Sequence, residues 1–521
     1  MKRLLFIAIT LLLANIVHAQ GWYDVTKYGA KRDSSAKATA AIAKAIAAAS
    51  RAGGGTVYFP AGKYLTGPIH LKSNITIHID AGAELHFSDN FDDYLPMVET
   101  RYEGVDVTSF SPLFYAYKAE NITITGRGLI DGHGKKWWDF VEGYKNDQPR
   151  SRWQILFDSL NKNILLPDDP KQMKRGFLRP PFIQPMFCKN VSIEGISIRN
   201  SPFWTVNPQF CENVTVKGVT INNPPSPNTD GINPESCKYV HISDCHISVG
   251  DDCITIKSGK DIPGRTKAAP AQNYTITNCT MLSGHGGVVI GSEMSGGVKN
   301  IVISNCVFDG TDRGIRIKTT RGRGGVVEDI RVDNIIMKNI REQAIVLDMA
   351  YSKTTPEPVS ERTPKFRNIR LSNITAYTKE AIFINGLEEM PVQEFSVQDA
   401  YFEAETGIII RKAKDIELKN VRITTTRGAA IDVSETERID IDGLSSVQLR
   451  DSLPLIRLND VKQALIRNSW PQQGSTHFAE VKGAKTAQVI FHNNILPQAS
   501  PGIRINGEVP AKAVTISSSV N

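Results

Sequence analysis

The sequence predicts an all-β fold, a parallel β-helix with a short capping helix near the N-terminus. A unit of one polar residue followed by alternating apolar and polar positions recurs at intervals of roughly 20 to 40 residues. Each unit has room for two or three short strands but not for a crossover helix. Parallel strands without helices between them stack as a β-helix, whose inward Ile, Val and Leu side chains form one continuous core.

Most copies of the unit begin with a polar residue, often Asn, followed directly by Ile or Val. They begin at Asn74, Asn121, Asn190, Asn213, Tyr239, Tyr274, Asn300, Asp329, Asn368, Phe395, Asp415 and Arg438, with weaker copies near Leu465 and Val489. Several of these asparagines fall in Asn-x-Ser/Thr triplets. We predict that they hydrogen-bond in a ladder along the stack rather than carry glycans.

Residues 1–20 predict a secretory signal peptide. Lys2 and Arg3 precede an apolar run from Leu4 to Asn15, and Ala19 ends a cleavage site of small residues. The run is too short to span a bilayer, and no second run of spanning length follows. We therefore expect an exported protein, periplasmic or secreted, without a membrane span.

The mature chain divides into a cap and a long repetitive part. Residues 21–72 predict a strand and helix cap, with an alanine-rich helix from Thr39 to Ala52 that ends at consecutive glycines. Residues 73–521 predict the β-helix. A loop insertion at about 135–181 interrupts the repeat, and loops of this length inside solenoids often shape a binding site.

Composition indicates a soluble globular protein. Of 521 residues, 22% are charged and 41% hydrophobic, which argues against a disordered or fibrous chain. A net charge of +7 is a small excess for this length, so we predict no nucleic-acid partner, and we expect a monomer. The seven cysteines show neither CxxC pairs nor zinc-site spacing, and their apolar surroundings predict buried thiols.

Four short motifs carry the chemistry. They are Asn228-Thr229-Asp230-Gly231, Gly250-Asp251-Asp252-Cys253, Gly284-His285-Gly286 and Arg316-Ile317-Lys318. Their spacing of about one coil each predicts that their side chains meet on one face of the stack. Both Asp251 and Asp252 reach that face only if the backbone turns or bulges, which Gly250 makes easy.

The residue types in these motifs favour hydrolysis of an acidic sugar. Three carboxylates in one patch repel each other, so at least one holds a proton near neutral pH, as a general acid beside a general base requires. Glycoside hydrolysis uses such a pair. Arg316 and Lys318 point the same way on a strand and suit a sugar carrying a carboxylate. Each motif alone is more often a turn or an exposed strand face, but their ordered combination favours a site.

These motifs resemble those of glycoside hydrolase family 28, the polygalacturonases. The resemblance implies a right-handed parallel β-helix that hydrolyses α-1,4-galacturonosyl linkages of pectic polysaccharide or oligogalacturonides with inversion, without metal or cofactor. It implies these roles: Asp251 as general acid, Asp230 and Asp252 as residues that position and deprotonate the water, His285 as the residue that tunes the acid, and Arg316, Lys318, Tyr351 and Asn228 as substrate-binding residues. A family disulfide at Cys253 lacks its partner, because Met281 occupies that position.

The mode of attack and the substrate have alternatives. The insertion and the Gly291–Met294 segment resemble exo-acting bacterial members, which implies release of galacturonate from the non-reducing chain end. The alternatives are an endo-polygalacturonase or a galacturonidase directed at rhamnogalacturonan. Two other classes are a calcium-dependent enzyme of the pectate-lyase type and a non-catalytic glycan-binding β-helix.

Overall fold

Strands stacked in parallel make up most of the structure. In this computed structural model, the described residues are 21–145, 150–166, 178–352, 354–448, 454–473, 477–496 and 502–517. The parallel β-helix predicted from the repeats is confirmed. The predicted signal peptide lies outside the described residues and stays a prediction. Within the described residues, every helix is too short or too polar to cross a bilayer.

Most strands are short, and the long ones, β24 and β26 to β29, come after the middle of the chain. The first part holds β1 (Gly21–Asp24), β2 (Asp33–Lys37), β3 (Gly55–Phe59), β4 (Gly62–Thr66), β5 (Ile69–His70), β6 (Ile75–Ile79), β7 (Ala83–Phe87), β8 (Val98–Tyr102), β9 (Val105–Ser109), β10 (Phe114–Tyr117), β11 (Glu120–Gly126), β12 (Leu129–Asp131), β13 (Ile183–Met186), β14 (Lys189–Glu194), β15 (Ser197–Arg199), β16 (Glu212–Lys217), β17 (Thr220–Asn222), β18 (Lys238–Ser243) and β19 (His246–Ser248). The second part holds β20 (Asp252–Ile256), β21 (Ala271–Thr277), β22 (Thr280–Ser283), β23 (Gly286–Ile290), β24 (Val298–Asp309), β25 (Ile315–Lys318), β26 (Val326–Asp348), β27 (Lys365–Asn385), β28 (Val392–Arg411), β29 (Ala413–Thr425), β30 (Ile431–Ser434), β31 (Glu437–Asp442), β32 (Ser445–Gln448), β33 (Ile456–Asn459), β34 (Lys462–Arg467), β35 (Trp470–Gln473), β36 (Ala479–Lys482), β37 (Ala487–His492), β38 (Ile503–Ile505) and β39 (Val514–Ser517).

The coils have three faces, each a parallel sheet. One face runs from β1 through β3, β6 and β11 toward β39, and a second from β2 through β4, β7 and β12 toward β35. The third runs from β5 through β10 and β13, crosses single bridges at Val206 and Ile232, and continues through β20, β23 and β25. This third face carries the predicted site, because it contains or adjoins all four motifs.

In-register stacking of apolar side chains forms the core. Ile232 lies opposite Ile254, Ile254 opposite Val288 and Val288 opposite Ile315, and all four are buried. The alternation of the sequence repeat has this physical cause: successive strand residues point to opposite faces, so every second residue enters the column.

The predicted asparagine ladder is present at the turns. Asn121 donates from Nδ2 to Oδ1 of Asn74 at 2.8 Å, Asn190 donates to Asn121 at 2.8 Å, and Asn213 donates to Asn190 at 3.1 Å. All four have positive φ values, a left-handed conformation that Asn tolerates better than most residues. The Asn-x-Ser/Thr triplets at Asn74, Asn121, Asn190 and Asn213 are thus explained by coil geometry.

The cysteines are buried, as predicted. All seven lie in the described part of the chain, and none of them is in a disulfide. Cys188, Cys211 and Cys237 occupy the same turn of successive coils, where the Cys211 backbone N–H lies 3.3 Å from Sγ of Cys237. Their positions follow from the inward alternation of the strands rather than from a covalent framework.

Helices occur at three places beside the column. Helix α1 (Thr39–Arg51) matches the predicted alanine-rich helix and buries Ile42 and Ile46 among the first strands. The others are α2 (Lys135–Lys145), α3 (Arg152–Leu160) and α4 (Asp261–Lys267), and short 3-10 helices span Val25–Tyr28 and Phe91–Tyr94. The predicted boundary at residue 73 has no counterpart in the sheets, because β1 pairs with β3 and β3 with β6.

The described parts of the insertion at 135–181, residues 135–145, 150–166 and 178–181, include helices, whereas a loop was predicted. They contain α2 and α3, whose Trp137 is fully buried and stacks on Phe91 with ring centroids 4.0 Å apart. Trp153 donates from Nε1 to Oδ1 of Asp92 at 2.9 Å. The prediction also missed the antiparallel hairpin β8–β9. Aromatic side chains of the insertion and of the segments that flank the hairpin pack together in one cluster.

Candidate active site

The predicted carboxylates meet on the third face. Ile232 pairs with Ile254, so Asp230 and Asp252 hold equivalent places on adjacent coils, and Asp251 precedes Asp252 at the start of β20. One oxygen from each of the three carboxylates lies within 4.8 Å of the others. Asp230 and Asp252 are buried, whereas Asp251 keeps 19% of its side chain exposed. All three line an open pocket of about 780 Å³.

Gly250 is required by close packing rather than by an unusual backbone angle. A Cβ atom at this position would lie 2.4 Å from the backbone nitrogen of Ser226 and 2.5 Å from its oxygen. The chain therefore passes tightly against the preceding coil before it enters β20, which sets Asp251 at the strand end and Asp252 in the strand. Because Asp251 precedes the regular strand, the two neighbouring aspartates need not point to opposite faces.

Asp252 is held by two cations. Lys318 donates from Nζ to Oδ2 of Asp252 at 2.8 Å, and Nη1 of Arg316 lies 3.6 Å from Oδ1. Arg316 and Lys318 project from the same side of β25, as predicted, and both lie over the ring of Tyr351, at 5.4 and 5.5 Å from its centroid. Tyr351 is half exposed at the pocket wall. The structure thus brings these predicted residues together.

His285 is paired with Asp251. Its Nδ1 lies 3.2 Å from Oδ1 of Asp251, and its backbone N–H donates to the Asp251 carbonyl at 2.8 Å. The hydrogen bond to Asp251 raises the pKa of His285. Burial acts to raise the pKa of Asp251, but the bond from His285 and the charge of Lys318 outweigh it and hold that pKa below its ordinary value.

The pKa of Asp230 is shifted in the opposite direction. Burial, together with the negative charge of Asp251, raises the pKa of Asp230 well above its ordinary value. Its Oδ2 accepts from Asn233 at 3.0 Å and from Thr255 at 3.2 Å. The pKa values of the two carboxyls are therefore shifted in opposite directions, upward for Asp230 and downward for Asp251.

Asn228 lines the pocket, and its side chain is held by Arg179, a contact that was not predicted. Nη2 of Arg179 donates to Oδ1 of Asn228 at 2.8 Å, and Arg179 also donates to the Pro227 carbonyl and to the Tyr102 hydroxyl. Arg179 lies near the C-terminal end of the insertion, and Tyr102 belongs to the β8–β9 hairpin. Insertion and hairpin together therefore fix the loop that carries Asn228.

Several pocket residues were missed by the sequence reasoning. Lys257 and Glu293 form a buried ion pair with Nζ–Oε2 of 2.7 Å, and Nζ of Lys257 lies 4.6 Å from the ring centroid of Trp204. Further cations on the pocket lining are Lys260, Arg313, Arg321, Arg323 and Arg362. The sequence predicted a role for the Gly291–Met294 segment only from its resemblance to exo-acting family members. It did not predict a partner for Glu293. The pocket is therefore more cationic than the four motifs indicate.

One wall of the pocket comes from the β8–β9 hairpin. Arg101, buried in the hairpin, donates from Nε to Oε1 of Glu235 at 2.8 Å. At the hairpin turn, Glu103 lies 3.5 Å from Nζ of Lys260, and both residues line the pocket. The hairpin is thus attached to the catalytic face by ion pairs, and it bounds the pocket on the side of the insertion.

The three carboxylates also have the composition of a cation site. Hard cations such as Ca²⁺ take six to eight oxygen ligands. Here Asp252 is already engaged by Lys318 and Arg316, and Lys257 contributes a further positive charge that lowers the pKa of Asp230 against its burial. The donor set fits a bound cation poorly, because these ammonium and guanidinium groups occupy the same carboxylates.

The fold and the pocket define a class: a parallel β-helix protein with three clustered carboxylates beside cations in an open pocket. Comparison with known families matches residues 168–407, which contain all the predicted site residues, to Glycosyl hydrolases family 28. Residues 22–143 match the family Rhamnogalacturonase A/epimerase, pectate lyase-like.

Individual relatives agree with this match. An endo-polygalacturonase of Pectobacterium carotovorum is 32% identical over 68% of this chain and 81% of its own length. A hyperthermoactive exopolygalacturonase of Thermotoga maritima is 33% identical, with a TM-score of 0.68 over 77% of this chain and 91% of that one. A probable polygalacturonase of Vitis vinifera is 33% identical, and the match spans 54% of its length. The chain belongs to glycosyl hydrolase family 28 and is a glycoside hydrolase.

Proposed function

We propose that this protein hydrolyses galacturonosyl linkages in pectic polysaccharide or oligogalacturonides, and that it is exo-acting. The observation that carries the proposal is the contact of Asp252 with Lys318 and Arg316 beside Asp251 and Asp230. A substrate carboxylate that binds Lys318 and Arg316 competes with Asp252 for these cations. Binding of an acidic sugar thereby frees a catalytic carboxylate, which a neutral sugar does not do.

Asp251 is the proposed general acid, because its carboxyl opens to the pocket and receives a proton through His285. The hydrogen bond between the two raises the pKa of His285, and we propose that the pair acts as one acid. Asp252, freed by the substrate, is the proposed base, and with Asp230 it positions the attacking water. We propose attack by water and inversion, as the resemblance of the motifs to glycoside hydrolase family 28 implies. Proton NMR of the first anomer formed tests this, and a covalent glycosyl-enzyme would contradict it.

The exo mode is supported by the β8–β9 hairpin, whose Glu103 lines the pocket and whose Tyr102 hydroxyl accepts a hydrogen bond from Arg179 at the end of the insertion. We propose that this hairpin closes one end of the substrate groove, so that the groove admits a chain end rather than a chain interior. The relative from Thermotoga maritima is described as an exopolygalacturonase. The endo mode stays the alternative, since the relative from Pectobacterium carotovorum is described as an endo-polygalacturonase.

We expect galacturonate as the first and main product from polygalacturonate, with a slow fall in viscosity. Oligogalacturonides reduced at one end provide the measurement: attack at the non-reducing end leaves every shortened oligomer with its reduced terminus. A rapid fall in viscosity with mixed oligomers would show the endo mode. Rhamnogalacturonan fragments assayed in parallel test the alternative substrate. An unsaturated product that depends on added calcium would instead indicate a lyase.

The pH profile tests the pairing of His285 with Asp251. Because the pKa of His285 is raised, kcat/KM in the wild-type protein should stay high above the ordinary histidine pKa of about 6.5 and fall only at higher pH. In His285→Gln we expect roughly a 10²-fold lower rate and a fall that begins at lower pH, because a carboxyl alone then holds the proton. A high-pH limb that is identical in both proteins would contradict the pairing.

Export and a monomeric state stay predictions. The N-terminal sequence of the protein recovered from its natural compartment tests cleavage before Gln20 or Gly21. Light scattering of the mature chain tests the monomer.

A further inference from the structure

We propose that His86, Asp131 and His133 form a binding site for a divalent transition-metal ion, with zinc as the best-fitting one, outside the catalytic pocket. Nδ1 of His86 lies 3.2 Å from Nε2 of His133, which lies 3.7 Å from Oδ1 of Asp131. One ligand atom from each residue lies within 4.8 Å of the other two. Zinc bonds of 2.0–2.2 Å in tetrahedral geometry place ligand atoms roughly 3.3–3.6 Å apart, so the three atoms need only small shifts.

A hydrogen bond to Glu84 fixes the tautomer of His86 in which Nδ1 can bind a metal. Its Nε2–H donates to Oε2 of Glu84 at 2.9 Å, which leaves the Nδ1 lone pair directed at His133. Metal-binding histidines usually donate their other ring N–H to a carboxylate in this way. Without a metal, the same geometry is a hydrogen bond from His133 to His86, so the experiment must separate the two states.

Asp131 is fixed as a ligand by its other contacts. Its Oδ2 accepts from Nε of Arg199 at 2.7 Å, and its Oδ1 accepts from Nδ2 of Asn200 and from the His133 backbone N–H, both at 3.0 Å. These donors orient Oδ1 toward the imidazoles but weaken its negative charge. Two imidazoles and one carboxylate are a donor set that suits zinc, cobalt and nickel, and not calcium.

The site is accessible and lies apart from the catalytic residues. The side chain of His133 is 40% exposed, so an ion and a fourth, water ligand have a path from solvent. Strand β12, which ends at Asp131, lies two coils from β17, which precedes Asp230, and three coils from β19, which precedes Asp251. These separations are roughly 10 and 14 Å along the axis at the usual strand spacing. His133 precedes α2 by two residues, so a bound ion would fasten the start of the insertion to β7 and β12.

Calorimetric titration of Zn²⁺ into the untagged, chelator-treated full mature chain tests the proposal. We expect one equivalent to bind, with an affinity lowered about 10–100-fold in Glu84→Gln and abolished in His133→Gln. The control His241→Gln, which changes an exposed histidine on β18, should bind as the wild type does. Zinc should raise the unfolding temperature of the wild type and of the control but not of His133→Gln.

Cobalt gives an independent readout of the ligands. Co²⁺ bound by two imidazoles should show visible absorption bands that His86→Gln removes. Three results would overturn the proposal: no stoichiometric zinc binding by the wild type, unchanged binding in His133→Gln, or binding that Asp251→Asn removes and His133→Gln does not. The last result would locate the ion at the catalytic carboxylates. None of these results depends on the proposed hydrolytic activity.

Discussion

Asp251→Asn is expected to lower kcat on polygalacturonate by roughly 10²–10⁴-fold while the protein stays folded. The amide keeps the shape of the carboxyl but neither donates the acid proton nor pairs as an anion with His285. The loss should depend on the leaving group. An aryl galacturonide whose leaving group needs little protonation should lose much less rate than an oligogalacturonide, because only the step that requires the acid is impaired.

Asp252→Asn gives the matched comparison, because a missing base impairs both substrates alike. Asp415→Asn serves as the control for the loss of a carboxylate as such: Asp415 pairs with Arg438, is partly exposed and lies outside the pocket lining. Steady-state kinetics with both substrates are the measurement. If Asp230→Asn, rather than Asp251→Asn, shows the leaving-group dependence, then the buried carboxyl with the raised pKa is the acid.

The column itself was predictable because its determinants are local. Every second residue of each repeat is apolar, and the turn position favours Asn, so strand positions and the ladder at Asn74 and Asn121 follow from short stretches of sequence. The grouping of Asp230, Asp252 and Arg316 follows from coil spacing in the same way. Register is fixed by the buried face, since a slip by one residue would expose the core.

The walls of the pocket were not predictable by the same means, because they depend on contacts between distant segments. Lys257 directly follows β20, where the alternation of the strand predicts an exposed side chain. It is buried by Trp204 and Glu293, which come from other coils. The signals for the insertion helices were local but weaker: Trp137 and Val141 are four residues apart, and Ser151 with Gln154 forms a capping box.

The sequence predicted that the three carboxyls share a proton, but not which carboxyl has the raised pKa. Three adjacent carboxylates imply a shared proton, but its place depends on burial and on hydrogen bonds that a sequence does not display. Burial raises the pKa of Asp230, and His285 lowers that of Asp251. The resemblance of the motifs implies Asp251 as the acid, whereas the carboxyl whose pKa is raised in the structure is that of Asp230.

The buried pair of Lys257 and Glu293 should be the site of a large loss of stability. Burial alone would lower the pKa of Lys257, but Glu293 and Asp230 outweigh it and raise that pKa. Burial alone would raise the pKa of Glu293, but Lys257, Lys260 and Arg323 hold it well below its ordinary value. The pair thus contributes stability above the ordinary glutamate pKa of about 4.3, and that contribution is lost as the pH falls through the lower pKa of the folded protein.

We expect Lys257→Met to lower the free energy of unfolding by about 3–5 kcal/mol at neutral pH, because Glu293 stays buried without its direct partner. The double variant Lys257→Met/Glu293→Met should regain most of this loss, since it removes both charges and leaves apolar side chains beside Trp204. Urea denaturation midpoints of the four proteins in this cycle are the measurement. Losses that simply add would mean that the two charges are stabilised separately, Lys257 by Asp230 and Glu293 by Lys260 and Arg323.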